Sequence, residues 1–492
     1  MKKSTANNQA AKRRFYKWHR IIGLTALTPI IGWTISGLSH PLMSNWLRPA
    51  IPKEVFAPAT QDKIAPAVTL QQVLAMHNIQ QVRNFSLIKF NKGAYYQILD
   101  KDSVSNYYSV ADGSFLPHGD KAYAEYLARY FTQDSISAIK QMTFQNTFDS
   151  HYQPINRLLP VWKVTFDRPD GMDVYVETAQ SRMGTFNNNT RKFFLVLFEQ
   201  MHTWNFLADI GGEQLRIIVL MVAVSSIFLA MLSGLIVYGL FWKKFKEVTQ
   251  KKKNNSRDDK RIIHRYHRQL GLIMSALMLT FTVSGGFHLY ITLHNYSEKS
   301  NNYQQLINVQ DLKVSNLDLP IADSSILRVG LAKFNDKTYY QVLTNKKQVR
   351  YIDATNNEEL QDGDAVYARY LAAYYRNFRH GGNTESGQLS NAVTVTPVKQ
   401  FTNDYGFINK RLPVEQVSYD SGDDWYIETT SAKLATKVTG IDRAEGLTFI
   451  FLHKFFWMTW AGKDIRDIVS MLAALGILIV SLLGLTAFIK NK

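Results

Sequence analysis

Apolar residues along this chain gather into four long runs, 21–43, 217–242, 270–293 and 468–489. Each exceeds the roughly 18 residues that separate a membrane span from a core helix. The pattern therefore predicts four transmembrane helices. Between the runs the period changes from helical to alternating, as in Val161-Trp162-Lys163-Val164-Thr165-Phe166 and Asp173-Val174-Tyr175-Val176-Glu177. Pro169-Asp170-Gly171 joins these two stretches, so they read as strands of a hairpin. Residues 122–131 and 366–375 return to helical spacing, which puts a helix on an antiparallel sheet in each intervening segment. Core packing accounts for the many tyrosines of these segments. Ahead of the second and fourth spans, 193–216 and 447–467 contain aromatic stretches too short to cross a bilayer, and they are predicted to lie at its interface.

The second half of the chain restates the first, at offsets between 244 and 253. Trp18-His19-Arg20-Ile21-Ile22-Gly23 aligns with Tyr266-His267-Arg268-Gln269-Leu270-Gly271. Ser36-Gly37 and His40 align with Ser284-Gly285 and His288. Lys89-Phe90-Asn91 with Tyr95-Tyr96-Gln97 matches Lys333-Phe334-Asn335 with Tyr339-Tyr340-Gln341. Ile155-Asn156 matches Ile408-Asn409, and Tyr175-Val176-Glu177-Thr178 matches Tyr426-Ile427-Glu428-Thr429. His202, Arg216 and Gly234 match His453, Arg466 and Gly484. Each repeat reads span, external segment, span, so both halves have one orientation. The expected architecture is a membrane α-helical fold: a four-helix bundle built from a tandem two-span repeat, with two α+β lobes at 44–192 and 294–446.

Charge fixes the expected orientation. The net +17 comes from residues 1–20 with seven Lys/Arg and no acid, the 243–269 linker with eleven against three acids, and Lys490 and Lys492 in the tail 490–492. Basic residues confined to short flanks are the positive-inside pattern, which places these stretches in the cytoplasm and both lobes in the periplasm of a bacterial inner membrane. The basic patches then serve anionic-lipid contact or the docking of an acidic electron donor, and they do not indicate nucleic acid. The first run, at 23 residues, is longer than a signal-peptide core and is read as an uncleaved anchor. The chain has no cysteine, which removes thiolate metal sites, disulfides, a cysteine nucleophile and covalent c-type haem.

Six of the twelve histidines form the repeat-matched pairs His19/His267, His40/His288 and His202/His453, each at the edge of an apolar run. Twenty-one residues separate His19 from His40, and His267 from His288. At 1.5 Å per residue that is about 31 Å, so each helix carries one histidine near each membrane face. A histidine there is interfacial decoration, a helix-to-helix hydrogen bonder, a proton carrier or an axial metal ligand. Haem b iron asks for two neutral imidazoles from facing helices. His19 with His267 would supply one such pair. The other four would serve two haems, or one haem with residues to spare, giving two or three in all. Gly23 and Gly271 would leave room for a macrocycle or allow close helix packing. Arg216 and Arg466 would pair with a haem propionate or a lipid phosphate. His264 and His294 lack histidine counterparts, and His77, His118, His151 and His380 are read as surface residues.

The combination of Trp18-His19-Arg20 through Gly23, Met201-His202 with downstream Gly211-Gly212, Arg216 and Ser233-Gly234, and the Tyr-Val-Glu-Thr strand ends resembles the PepSY-associated transmembrane family, which includes inner-membrane ferric-siderophore reductases. The resemblance spans nearly the whole chain. It implies haem-bearing helices, periplasmic PepSY lobes and a role in iron acquisition, with a ferric siderophore or similar complex as substrate. No Gly-x-Gly-x-x-Gly turn or flavin domain is present, so the reductant would be external, a cytoplasmic flavoprotein or a quinol. The rival readings are a non-redox module whose lobes bind a peptide or envelope enzyme, and a transporter. The spans carry no Asp or Glu and no matched broken helices beyond Pro29, which ranks the transporter last.

Overall fold

The computed structural model describes residues 2–57, 64, 66–251, 259–295, 302–321, 326–379 and 392–490. These fall into two compact units. One holds residues 1–48, 190–297 and 441–492, and the other holds 49–189 and 298–440.

The first unit is a bundle of four long helices, Lys2–Pro41, Phe206–Leu240, Asp259–Asn295 and Lys463–Ile489. All four candidate spans lie on these helices and their flanks. Each helix packs on two others, first on second and fourth, third on second and fourth, so they close a ring. Ala26, Ile30, Ile227, Ala230 and Ile477 fill its centre, lined by Trp33, Met274, Met278 and Phe281. The outer faces are apolar as well: Val222, Ile273 and Leu472 are 64%, 62% and 60% exposed. A helix that is apolar all round has hydrocarbon as its natural solvent.

The helices run past the apolar stretches that announced them. The basic N-terminal stretch, expected only as a flank, continues the first helix from Lys2. The interfacial segments resolve into short helices, Asn189–Phe198 and Gly440–Thr448, each followed by one π-helical turn, Glu199–Thr203 and Phe449–His453. Two glycines then set the entry of the spans. Gly212 has φ 80° and ψ 169°, and Gly462 has φ 85° and ψ 165°, a region that only glycine occupies without strain.

The second unit carries sixteen described strands in four antiparallel sheets. In its first half these are β1 Gln81–Phe90, β2 Gly93–Asp100, β3 Ser105–Ser109, β4 Ile139–Gln145, β5 Val161–Phe166, β6 Asp173–Glu177 and β7 Arg182–Asn187. In the second half they are β8 Ile307–Asn308, β9 Ile326–Phe334, β10 Lys337–Thr344, β11 Val349–Asp353, β12 Glu359–Leu360, β13 Ala392–Val398, β14 Val414–Tyr419, β15 Asp424–Glu428 and β16 Lys433–Val438. Their orders are β3-β2-β1-β8, β4-β5-β6-β7, β12-β11-β10-β9 and β13-β14-β15-β16. The expected hairpin is β5–β6, with Val164 opposite Val174. The expected helices are Gly119–Thr132 and Gly363–Arg379, each packed against the sheets of its own half.

The motifs shared by the two halves have structural work in this unit. Asn91 and Lys92, like Asn335 and Asp336, take positive φ and close the β1–β2 and β9–β10 hairpins. Gln97 donates to Tyr107 Oη (2.6 Å) and the Thr178 carbonyl (3.3 Å), and Gln341 donates to Tyr351 Oη (2.7 Å) and the Thr429 carbonyl (3.0 Å). Tyr175 stacks on Tyr152 and Tyr426 on Tyr405, both with ring centroids 4.6 Å apart. All but two of the twelve largest fully buried side chains are tyrosines.

The expectation of two lobes needs one revision. β8, from the second segment, adds to the sheet of the first, pairing Ile307 with Val82. A single core then joins Val82, Phe85 and Tyr96 to Val329, Leu331 and Tyr340. The reason lies in β1, whose two faces are both apolar. Ile88 and Phe90 meet the helix Gly119–Thr132 of their own half, while Val82 and Phe85 lie in a core to which Leu70, Val73 and Leu74 of their own half and Val329 and Leu331 of the other both contribute.

Candidate functional site

The six repeat-matched histidines all belong to the helix bundle, where they separate into two facing pairs and two flanking residues. His19 of the first helix faces His267 of the third, with ring centroids 6.3 Å apart and planes at 37°. His202 and His453, from the two π-turns, face each other at 6.3 Å with planes at 89°. A π-turn is wider than an α-turn and leaves backbone groups in need of partners. Trp33 Nε1 donates to the His202 carbonyl at 2.9 Å. At Gly32 an added Cβ would lie 3.1 Å from the Met201 carbonyl oxygen, so glycine lets the first helix approach this turn.

The hydrogen bonds fix the tautomer of His267 and favour the same one on the other three rings. His267 Nδ1 lies 3.0 Å from the Val480 carbonyl, which only accepts, so Nδ1 carries the proton. The other three Nδ1 atoms meet serines: His19 with Ser233 (3.1 Å), His202 with Ser36 (2.9 Å) and His453 with Ser284 (3.0 Å). Each serine hydroxyl donates to the carbonyl three residues back, Ala230, Trp33 and Phe281 respectively. Their oxygens are left to accept, so the imidazoles donate through Nδ1. Nε2 is then the basic nitrogen on every ring, with its lone pair available to an electrophile.

Glycines sit behind the inner pair. A Cβ at Gly234 would fall 3.1 Å from His19 Cε1, and one at Gly484 would fall 2.9 Å from His267 Cε1. These are the glycines matched between the repeats without a role being assigned to them. The signal of Gly234, like that of Ser36, Ser233 and Ser284, was already in the Ser-Gly steps, whereas Gly484 follows Leu483. Gly23 has open space around its missing side chain, whereas Gly271 packs on Val480.

His40 and His288 are held differently. His40 packs on Phe198 (5.6 Å) and His288 on Phe449 (5.5 Å), while those phenyl rings stack on His202 (4.5 Å) and His453 (4.8 Å). His288 Nδ1 also lies 2.8 Å from Glu445 Oε1. His40 and His288 make no ring contact with each other. Arg216 binds Glu213 and donates to the Thr203 carbonyl (2.7 Å), and Arg466 lies over the Phe456 ring (4.4 Å). Of the histidines read as surface residues, His77 and His118 are exposed, His151 is half-buried, and His380 lies outside the described residues.

Chemically, each facing pair offers two neutral imidazoles from different elements. Two metal–nitrogen bonds of about 2 Å, plus the two ring radii, amount to roughly 6 Å between centroids. The observed 6.3 Å fits that span. Among the described residues no three His, Asp or Glu side chains gather into a chelating site. Such a pair could share a metal ion, relay a proton or join two helices.

Four apolar helices, a β-rich unit joined to them through the chain, and the paired histidines define a membrane protein with a large non-membrane part. The chain belongs to the family described as PepSY-associated TM region, whose profile matches residues 120–490. A comparison with curated proteins finds no match.

Proposed function

We propose that this protein is a haem-containing electron conduit of the bacterial inner membrane that reduces a periplasmic ferric complex for iron acquisition. The observation that carries the reading is the pair geometry: two sets of imidazoles, each ring with Nδ1 hydrogen-bonded and Nε2 free, at the separation that two axial ligands of one iron require. In this reading His19 with His267 holds one haem b, and His202 with His453 holds a second. His40 and His288 flank the second site. Haem supplies the one-electron Fe(III)/Fe(II) couple. The protein's part is to fix the tautomers, to press Gly234 and Gly484 against the inner imidazoles, and to surround both sites with apolar side chains.

Depth supports a conduit. His202 bonds Ser36 and His19 lies seventeen residues earlier on the same helix, about 25 Å of α-helix. Charge gives the orientation: the basic N-terminus, middle linker and tail face the cytoplasm, and the tandem halves carry their β-rich segments outside. One electron from an external flavoprotein or quinol, passed outward, converts Fe(III) of a siderophore-like complex to the more weakly held Fe(II).

Purified protein from haem-sufficient cells tests this directly. The expected result is a Soret band that shifts on dithionite, with two haems per chain. His19→Ala or His267→Ala should remove one, His202→Ala or His453→Ala the other, and His40→Ala should keep both. Colourless protein would end the redox reading and leave the non-redox PepSY module.

A further inference from the structure

Where the two halves of the β-rich unit meet, charged side chains gather in a way that neither the sheets nor the histidines explain. Glu177 and Glu428, the ends of β6 and β15, are 2% and 0% exposed. Around them stand Arg182, Arg328, Arg411 and Lys433. Glu428 is fully served: Arg182 and Ser431 donate to it, and Arg411 Nη1 does so at 2.7 Å. Burial works to raise its carboxyl, but Arg182 and Arg411 outweigh burial and hold it well below the usual carboxylate range.

Glu177 is served loosely. Arg182 Nη1 stands 3.9 Å from its Oε2, and Lys433 Nζ 3.8 Å from its Oε1. Neither Arg182 Nη1 nor Glu177 Oε2 has a hydrogen-bond partner. The Lys433 ammonium, with three donors, has one neutral acceptor, the Leu159 carbonyl at 3.3 Å. Arg328 is satisfied entirely by neutral groups, Ser86 Oγ at 3.0 Å, the Gln180 side chain and the Ala179 carbonyl at 2.9 Å. Burial, and then Arg182, push it down to about 10. These four cations outnumber the two carboxylates, and Arg157 and Lys410, which bond Asn409 and Asn156 on the same seam, add to the positive excess of this largely buried cluster. Such an excess is costly unless an anion balances it.

We infer that this seam binds a small divalent oxyanion, of the phosphate or polycarboxylate class, through Arg182 Nη1 and Lys433 Nζ. A multivalent oxyanion offsets the positive excess, and its oxygens match the open Arg182 Nη1 and the Lys433 ammonium donors. Lys433 is 25% exposed, which gives the cluster an opening to solvent. The inference does not depend on haem.

Thermal unfolding of the full-length protein, followed by tryptophan fluorescence at constant ionic strength, tests it with inorganic phosphate and succinate as probes against chloride. Both probes stabilise proteins generally and without saturation, so the informative part is the saturable rise in Tm. Wild type should show one. Lys433→Gln should weaken the apparent affinity by about tenfold or more, and Arg182→Lys, which keeps the charge but loses the fork, should do the same if the first variant does not fold. A saturable response to only one probe identifies which oxyanion the site takes. No saturable component in wild type, or an equal one in the folded variants, would overturn the inference and reduce the cluster to an ionic clamp between the halves.

Discussion

At the scale of single residues, the proposed electron path depends on which nitrogen of each imidazole is protonated. Ser36 and Ser284 are 0% and 1% exposed, and each spends its own proton on its helix backbone while accepting from a histidine. Removing that acceptor makes the imidazole a weaker electron donor, which disfavours the ferric state. Ser36→Ala or Ser284→Ala should therefore raise one of two midpoint potentials, by roughly 60 mV for a tenfold change in the ferric-to-ferrous preference, and leave the other unchanged. A redox titration of the Soret band reads this, and an unshifted pair of potentials would show that the serines do not tune the site. Glycine makes a second residue-scale prediction. An added methyl at Gly484 would meet His267 Cε1 at 2.9 Å, against 3.1 Å for Gly234 and His19, so Gly484→Ala should lose more of the inner haem than Gly234→Ala in a haemochrome assay. The histidine pairs were legible in the sequence because they recur at the edges of apolar runs. His19 opposite His267 was among the expectations, but which of the other four face each other was not legible. That depends on two π-turns, and nothing in a hydropathy pattern distinguishes a π-turn from the end of an α-helix.

At the scale of elements, the two halves place different chemistry on equivalent strands. Asp120, at the start of one helix, accepts from Tyr107 Oη (2.8 Å) and Trp162 Nε1 (2.5 Å). Its counterpart Asp364 accepts from Tyr351 Oη (2.9 Å), but the position of Trp162 is taken by Glu415, so one carboxyl faces another. Burial, followed by the charge of Asp364, pushes the Glu415 carboxyl up to about 8, with Lys399 opposing, and burial also raises Asp364 although Thr429 and Tyr351 donate to it. A folded-state value above the unfolded one means that the folded chain keeps a proton the unfolded chain releases. Stability from this pair is then fully present below about pH 4.5 and is lost as pH rises toward about 8. Tm should fall by several degrees across that window, and Glu415→Gln should flatten the fall. An unchanged pH profile in the variant would contradict the shared-proton account. The hairpin and the two helices could be read from alternation and helical spacing. β8 could not, since two residues carry no period.

For the whole β-rich unit, the consequence of a shared core is that neither half is self-sufficient. Val82, Phe85 and Tyr96 of the first half are 0–2% exposed in a core that Val329, Leu331 and Tyr340 complete. At roughly 2 kcal/mol for each buried apolar side chain, half a dozen such residues contribute about 12 kcal/mol, comparable with the entire stability of an ordinary domain. The sequence repeat suggested two lobes because a repeat marks where equivalent elements begin and end. It does not say which faces those elements leave uncovered, and one apolar face of β1 is buried by residues of both halves together. Damage to one half should therefore be felt in the other. Val329, 3% exposed in β9, offers the test: Val329→Asp buries an unpaired carboxylate at a cost of several kcal/mol and should raise amide hydrogen exchange in β1 and β2, more than two hundred residues away in sequence. If exchange rose only in β9 and β10 while β1 and β2 stayed protected, the halves would be separate folding units after all. The charged seam would then join two independent domains, and its anion would bridge them instead of completing one core.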